Sequence, residues 1–369
     1  MLTAAVRDLH RGYPGRFVTD VRTSCGALWE NNPYLTELCG CEAGVEMIEC
    51  EYPLIHESNQ RPVHFLHGFI DFLNRRLRLD IQLTEMRADI HLSGEERQAA
   101  SAVAQWCGGE VPYWIIAAGG KYDYTIKWWD IARWQAVVDH FQGRLCFAQV
   151  GERGHHHPKL RGALDLRGRT SMRALIRLMH HAQGVACPVT CLMHLAAAVP
   201  GANPHVPDRP CVVVAGGREP VAWEAYPAHR YLHTIGALPC CAQGGCWRAR
   251  TEPLGDGDGK DQPQALCQRP VPLPEAGEPD GKVVPHFLPE CMDRITAADV
   301  IAAIESYLAE GQARQLTKAE ARRSDAGIAR MEAKCARERA VWEQRQVAEK
   351  DCDFRIDSGP RSEVLSRPV

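Results

Sequence analysis

No run of eighteen apolar residues occurs in the 369-residue sequence, so nothing in it is built to cross a bilayer as a helix. The opening MLTAAVRDLHRGYPG meets charge by its seventh residue and has no small-residue cleavage site, which speaks against a secretory signal and for a soluble, cytoplasmic protein. Charge of one sign is also lacking: 43 Lys and Arg against 46 Asp and Glu leave −3, too little to draw the chain to nucleic acid or to an anionic bilayer. No GxGxxG and no GxxxxGK[ST] is found, which sets aside an ordinary dinucleotide fingerprint and a P-loop. CxxC pairs are missing too, which argues against a zinc-ribbon nucleic-acid module.

What is present is an ordinary globular balance, 45% apolar and 24% charged residues, over a length that allows two domains and an extra module. From residue 113 short apolar runs alternate with amphipathic segments. The runs are Tyr113–Ala118, Leu145–Val150, Ala163–Leu166, Gly184–Cys187, Cys211–Ala215 and a weaker His229–Ile235, each of a length that suits a strand buried on both faces. Helices are expected at Trp129–Phe141, Ser171–Ala182 and Leu192–Val199. This alternation predicts an α/β fold with a doubly wound parallel sheet. Ligands of such sheets sit beyond the carboxyl ends of the strands, where this chain places Gly119-Gly120-Lys121, Gly151-Glu152-Arg153, Arg167 to Thr170, Pro188-Val189-Thr190 and Gly216-Gly217-Arg218-Glu219-Pro220. Glycine, helix N-termini and cationic side chains along one edge suit an anionic ligand such as a nucleotide.

The N-terminal part reads as a second α/β unit joined near Gly108-Gly109. It has helices at Leu2–His10, His64–Leu77 and Ser93–Val103, strands at Arg16–Arg22 and Val45–Glu49, and a turn or short helix at Ala27–Asn31. Ser93 and Glu96 are spaced as a capping box. Five of the sixteen cysteines fall between Cys240 and Cys291, in a stretch rich in Gly, Pro and Asp that cannot bury enough surface to hold itself together. Four thiolates there would suit a structural zinc or iron ion. The expected ligands are Cys241, Cys246, Cys267 and Cys291, with Cys240 as a substitute for Cys241. His155-His156-His157 is not expected to bind metal, because consecutive imidazoles on an extended loop point apart. Thr296–Leu308 predicts a capped helix. Gln312–Lys350 predicts a solvent-facing helix of net +4 whose Ile328, Cys335 and Trp342 hint at a seam for a partner helix or a homo-oligomer contact, with Ser358–Val369 frayed.

Several of these residues together resemble glycosyltransferase family 9, the ADP-heptose heptosyltransferases. They are Lys127-Trp128-Trp129, Gly151-Glu152, Asp165 to Ser171, and Thr190 to Ala198, with the opening helix and Asn32-Pro33-Tyr34 matching the family's N-terminal domain. The Cys240-Cys241 block, Gly244 to Trp247, Cys267 and Cys291-Met292-Asp293 resemble the metal finger of the subgroup that modifies autotransporter adhesins, which favours iron. The resemblance implies a GT-B fold of two Rossmann-like domains, divided as 1–109 on the acceptor side, 110–236 for the nucleotide sugar, 237–295 as the finger, 296–310 as a crossing helix and 311–369 as a charged tail. It further implies an inverting heptosyltransferase with an ADP-heptose donor, a protein or lipopolysaccharide acceptor and no organic cofactor. A non-catalytic nucleotide-sugar-binding or assembly protein is the alternative.

Carried over by position, Lys127 would meet the donor phosphates, Thr190 and His194 would belong to the helix start that cradles them, and Glu152 would meet the nucleoside. Gly151, Gly216, Gly217 and Arg218 complete the expected substrate-binding set. Val189 and Cys191 replace the Asp and Gly of the family's motif. The family's catalytic aspartate lies ahead of the first helix, a position upstream of Met1. A start codon further upstream is therefore expected, and no catalytic residue is assigned within the chain.

Overall fold

The computed structural model describes residues 1–52, 54–274 and 285–356. Six strands, β1 (Tyr113–Ile116), β2 (Cys146–Gln149), β3 (Leu164–Asp165), β4 (Gly184–Pro188), β5 (Cys211–Gly216) and β6 (His229–His233), form one sheet in the order β3-β2-β1-β4-β5-β6. Every neighbouring pair in it is parallel. The apolar runs become strands because both faces of the sheet are covered. Tyr113, Ile115, Val213 and Cys187 enter one core, and Trp114, Ile116, Val212 and Val214 enter the other. The first core is closed by α4 (Ala102–Cys107), α6 (Met172–His181) and α7 (Cys191–Ala198), and the second by α5 (Ile131–His140) and α10 (Ala297–Ala309).

Caps fix where these helices start. Asp130 accepts from the Ala132 amide (2.9 Å), Ser171 from Ala174 (3.2 Å) and Thr190 from Leu192 (3.3 Å). The helix expected over Ser93–Val103 is two: α3 (Gly94–Gln98), with the capping box of Ser93 and Glu96, and α4, restarted by Ser101 after the chain extends at Ala99. α1 (Leu2–Gly12) and α2 (His67–Leu77) pack together in a small separate core.

The strands expected at Arg16–Arg22 and Val45–Glu49 are irregular chain. One isolated bridge, Thr19 to Leu35, is what remains of pairing there, so among the described residues 1–109 hold no sheet. Buried hydrogen bonds tie that region to the sheet instead. Arg173 of α6 donates from Nε to Glu96 (2.6 Å) and from Nη2 to the His91 carbonyl (2.7 Å), and the Phe65 amide donates to the Trp223 carbonyl (2.8 Å).

In the C-terminal part the helix expected to cross back, α10, packs on α5 and β5, with Tyr307 donating to the Ala228 carbonyl (2.6 Å). The return contact is made by α11 (Lys318–Ile356), whose early turns lie on α4 and β3 and bury Met331. Ile328 and Cys335 pack against the chain's own core rather than presenting a seam to a partner, because α4 and the sheet edge leave apolar surface that this helix covers. The side chain of Trp342 and the segment Ser358–Val369 lie outside the described residues.

Candidate functional site

The strand order reverses at β1, which lies between β2 and β4, so the turns that leave these three strands diverge and open a crevice. A cavity of about 610 Å³ fills it. β1 supplies Gly119, Gly120 and Lys121, and the 3-10 segment Tyr122–Lys127 after it supplies Tyr124 and Lys127. β2 supplies Gly151, Glu152 and Arg153, and the turn before α6 supplies Gly168, Thr170 and Ser171. Val189, Thr190, Cys191 and Leu192 line the side formed by β4 and the start of α7. The first turns of α6 and α7 therefore both open on one cavity, and their unbonded amides give that wall a positive partial charge.

Four of the eight expected substrate-binding residues, Lys127, Gly151, Glu152 and Thr190, come together here. Lys127 donates from Nζ to Glu219 Oε1 (2.7 Å). Burial lowers its ammonium pKa to about 8; Arg218 adds to the lowering, while Glu224 and Tyr124 oppose it. Glu152 is mostly exposed and pairs with His155 Nδ1 (3.3 Å).

The other four lie elsewhere. His194 sits on α7 away from the cavity, its Nδ1 2.9 Å from the Tyr226 hydroxyl and its ring stacked on Phe65, and burial holds it neutral. Gly216 and Gly217 pack against the cysteine-rich segment. A Cβ on Gly216, whose φ is +63°, would lie 2.5 Å from Met292 Sδ, and one on Gly217 would lie 3.2 Å from Cys241 Sγ. Arg218 donates from Nε to the Arg248 carbonyl (2.7 Å) and lies over the rings of Tyr124 and Trp247. The sequence signal, glycine and arginine after a strand, is the same whether ligand or protein fills the space beyond. Here β5 lies beyond the crevice and the cysteine-rich segment fills it.

The triple histidine is a site feature that sequence reasoning set aside with its metal reading. His155 and His157 line the cavity, and His156 stacks on Trp128 at 4.0 Å between ring centroids. His157 Nδ1 is buried without a hydrogen-bond partner, and burial lowers the imidazole pKa to about 4. The countercharges expected at Arg167 and Arg169 are already bound, to Asp165 (2.7 Å) and to Glu338 of α11 (2.8 Å).

Among the described residues no set of three or more His, Cys, Asp or Glu side chains is arranged to hold a metal ion. The four expected ligands do not all line one pocket. Cys241 is buried and turns its thiol to the carbonyls of Thr234 and Leu238, both at 3.5 Å. Cys240, Cys246, Cys267 and Cys291 instead share one small pocket. Burial raises all four thiols, Cys291 to about 12, and the charge of the neighbouring thiols adds to the effect.

Comparison with known proteins gives a family likeness. Residues 64–230 match the family model of glycosyltransferase family 9 (heptosyltransferase). That stretch is similar to glycosyltransferase family 9. It contains all the cavity-lining strand ends. Among solved structures the chain is similar to Escherichia coli ADP-heptose lipopolysaccharide heptosyltransferase II (11% identity, 68% of this chain and 63% of that one, TM-score 0.41). It is similar also to a family 9 glycosyltransferase from Veillonella parvula (15%, 68% and 61%, 0.42) and to the iron-containing dodecameric glycosyltransferase TibC from enterotoxigenic E. coli (18%, 67% and 54%, 0.42). The chain thus spans between 54% and 63% of the length of these three structures. No curated protein sequence matches it. Among the described residues no helix is long and apolar enough to cross a membrane.

Proposed function

We propose that this chain is an inverting glycosyltransferase that binds ADP-heptose in the crevice between β1, β2 and β4 and passes the heptose to a protein or lipopolysaccharide hydroxyl. The observation that carries the reading is the convergence on one cavity of a half-buried lysine and the first turns of two helices, the donor set a diphosphate needs. In the transfer an acceptor oxygen bonds to the anomeric carbon as the bond from that carbon to the diphosphate oxygen breaks, and the acceptor proton leaves to a base. Negative charge grows on the departing diphosphate, so Lys127 and the amides at the starts of α6 and α7 would stabilise the transition state more than the bound donor. A GT-B arrangement in which the sheet region holds the nucleotide sugar, and a cytoplasmic location, belong to the same reading.

The test is binding and turnover with ADP, UDP, GDP, CMP and ADP-heptose. Stabilisation by ADP and ADP-heptose but not by the others is expected, through linkage. Absence of any shift overturns the donor assignment. One observation favours a second reading, a non-catalytic nucleotide-sugar binder: the only carboxylate lining the cavity among the described residues is Glu152, which is exposed and faces His155. Binding of ADP-heptose without transfer to any acceptor would decide for it.

TibC is iron-containing, and the four-thiol pocket offers the soft donors that iron or zinc prefers. In our reading Cys240, Cys246, Cys267 and Cys291 hold such an ion. Bound there, it would supply folding stability to the segment around it rather than chemistry at the crevice.

A further inference from the structure

The donor lysine does not stand on its own element alone. Lys127 ends the 3-10 segment after β1, and its Nζ donates to Oε1 of Glu219, which lies in the turn after β5. Arg218 pairs with that same oxygen. Glu219 is only 5% exposed, its Oε2 is buried with no partner, and it does not line the cavity that Lys127 and Tyr124 line. The carboxylate therefore holds the ammonium from behind.

The turn that carries Glu219 is in turn held by the cysteine-rich segment. The Cys246 amide donates to the Gly217 carbonyl (3.2 Å) and the Trp247 amide to the Arg218 carbonyl (3.1 Å). Gly245 lies so close that a Cβ on it would come within 2.2 Å of the Arg218 carbonyl oxygen and 2.9 Å of the Glu219 α-carbon. Continuous contact thus runs from the thiol pocket through Gly245 and Glu219 to the lysine at the cavity wall.

We infer that Glu219 is a positioning residue for Lys127, and that the cysteine-rich segment sets the place and charge of the donor lysine by clamping the turn that carries Glu219. The inference rests on the reading of Lys127 as the phosphate-binding cation. Removing the Glu219 charge leaves Lys127 facing Arg218 and His194 as cationic or neutral neighbours, with Glu224 and the Tyr124 phenol as the groups that still favour its ammonium form. An ammonium that loses its nearest carboxylate in a desolvated place gives up its proton more readily.

The experiment measures Lys127 directly in the full chain, by the pH dependence of its acylation with a small amine-reactive reagent read by mass spectrometry, and measures ADP affinity across the same pH range. For Glu219→Gln the acylation midpoint should fall by about one pH unit, a tenfold change in the ammonium fraction at fixed pH above it, and ADP affinity should fall several-fold at pH 7.5. Gly245→Ala, which leaves every charge in place but displaces the turn, should weaken ADP binding in the same direction. An unmoved acylation midpoint in Glu219→Gln overturns the inference whether or not ADP binds. If Lys127→Ala binds ADP as tightly as the wild type, the functional reading fails, and the acylation midpoint still decides the role of Glu219.

Discussion

The imidazole of His157 lies against the α-carbon of Gly151, so closely that a Cβ there would fall within 2.4 Å of the ring. The glycine expected to admit a ligand instead admits a side chain of the protein's own loop. A similar approach occurs at Gly119, where a Cβ would meet the His156 carbonyl oxygen at 1.9 Å. The histidine loop is thus a fitted wall of the crevice. Gly151→Ala is expected to push His157 into the cavity and weaken ADP binding at least tenfold. The fold should survive, because the loop can shift toward solvent. Calorimetric titration with circular dichroism as the control measures both, and unchanged affinity would remove the wall role.

Donor binding should depend on pH through Lys127. Burial lowers its ammonium pKa to about 8, below the usual 10.5. The charged form is the one that meets phosphate, so affinity should be flat below pH 8 and fall as pH rises above it. The slope should approach tenfold per unit until the higher pKa of the complex is reached. Lys127→Ala should abolish this limb and lower kcat/KM by about a hundredfold or more. An alkaline limb that survives in Lys127→Ala would assign it to another group.

Arg173 links α6 to the N-terminal region through Glu96 and the His91 carbonyl. Both side chains are largely buried, so removing the guanidinium leaves Glu96 short of its main partner. Arg173→Met should cost about 2 kcal/mol in denaturant unfolding. It should also raise proteolysis within residues 1–109 before the sheet is cut. Loss of stability without that local susceptibility would mean the pair serves the sheet rather than the junction.

The sheet was legible because its strands are buried on both faces: Cys211–Ala215 is found as Cys211–Gly216, and Gly184–Cys187 as Gly184–Pro188. Apolar runs of that length between helices have few other places to go. The N-terminal region was not legible, since RFVTDVR alternates as a strand does yet meets one isolated bridge, and local pattern says nothing about whether a pairing edge exists. The crevice was half legible. Residues set by local geometry, at the ends of β1, β2 and β4, were found. Those after β5 lie against the cysteine-rich segment, because what fills the space beyond a strand is decided by distant chain. The choice between Cys240 and Cys241 was not legible for the same reason, because only the fold brings Cys240 into the pocket that Cys246, Cys267 and Cys291 line.

α11 reads as a charged helix, yet it covers core. Met331 is buried on the side facing α4 and β3, and Arg330 donates from Nε to the Trp106 carbonyl (3.0 Å). Met331→Ala should cost about 3 kcal/mol, the range for emptying a packed methionine site. A change under about half that, measured by urea unfolding, would return the helix to a solvated appendage.

The thiol pocket makes the sharpest prediction, because two adjacent cysteines give opposite expectations. If Cys240, Cys246, Cys267 and Cys291 hold an ion, protein purified without chelator should carry about one iron or zinc per chain by elemental analysis. Cys267→Ser should lose most of it and several degrees of thermal stability, since the segment around it has little apolar surface of its own to fall back on. Cys241→Ser should keep the metal, because that thiol faces the carbonyls of Thr234 and Leu238 rather than the pocket. Loss of metal from Cys241→Ser with retention in Cys240→Ser would show that the segment rearranges around Cys241 when an ion binds. Absence of metal from every preparation, with unchanged melting of Cys267→Ser, would reduce the four thiols to packing.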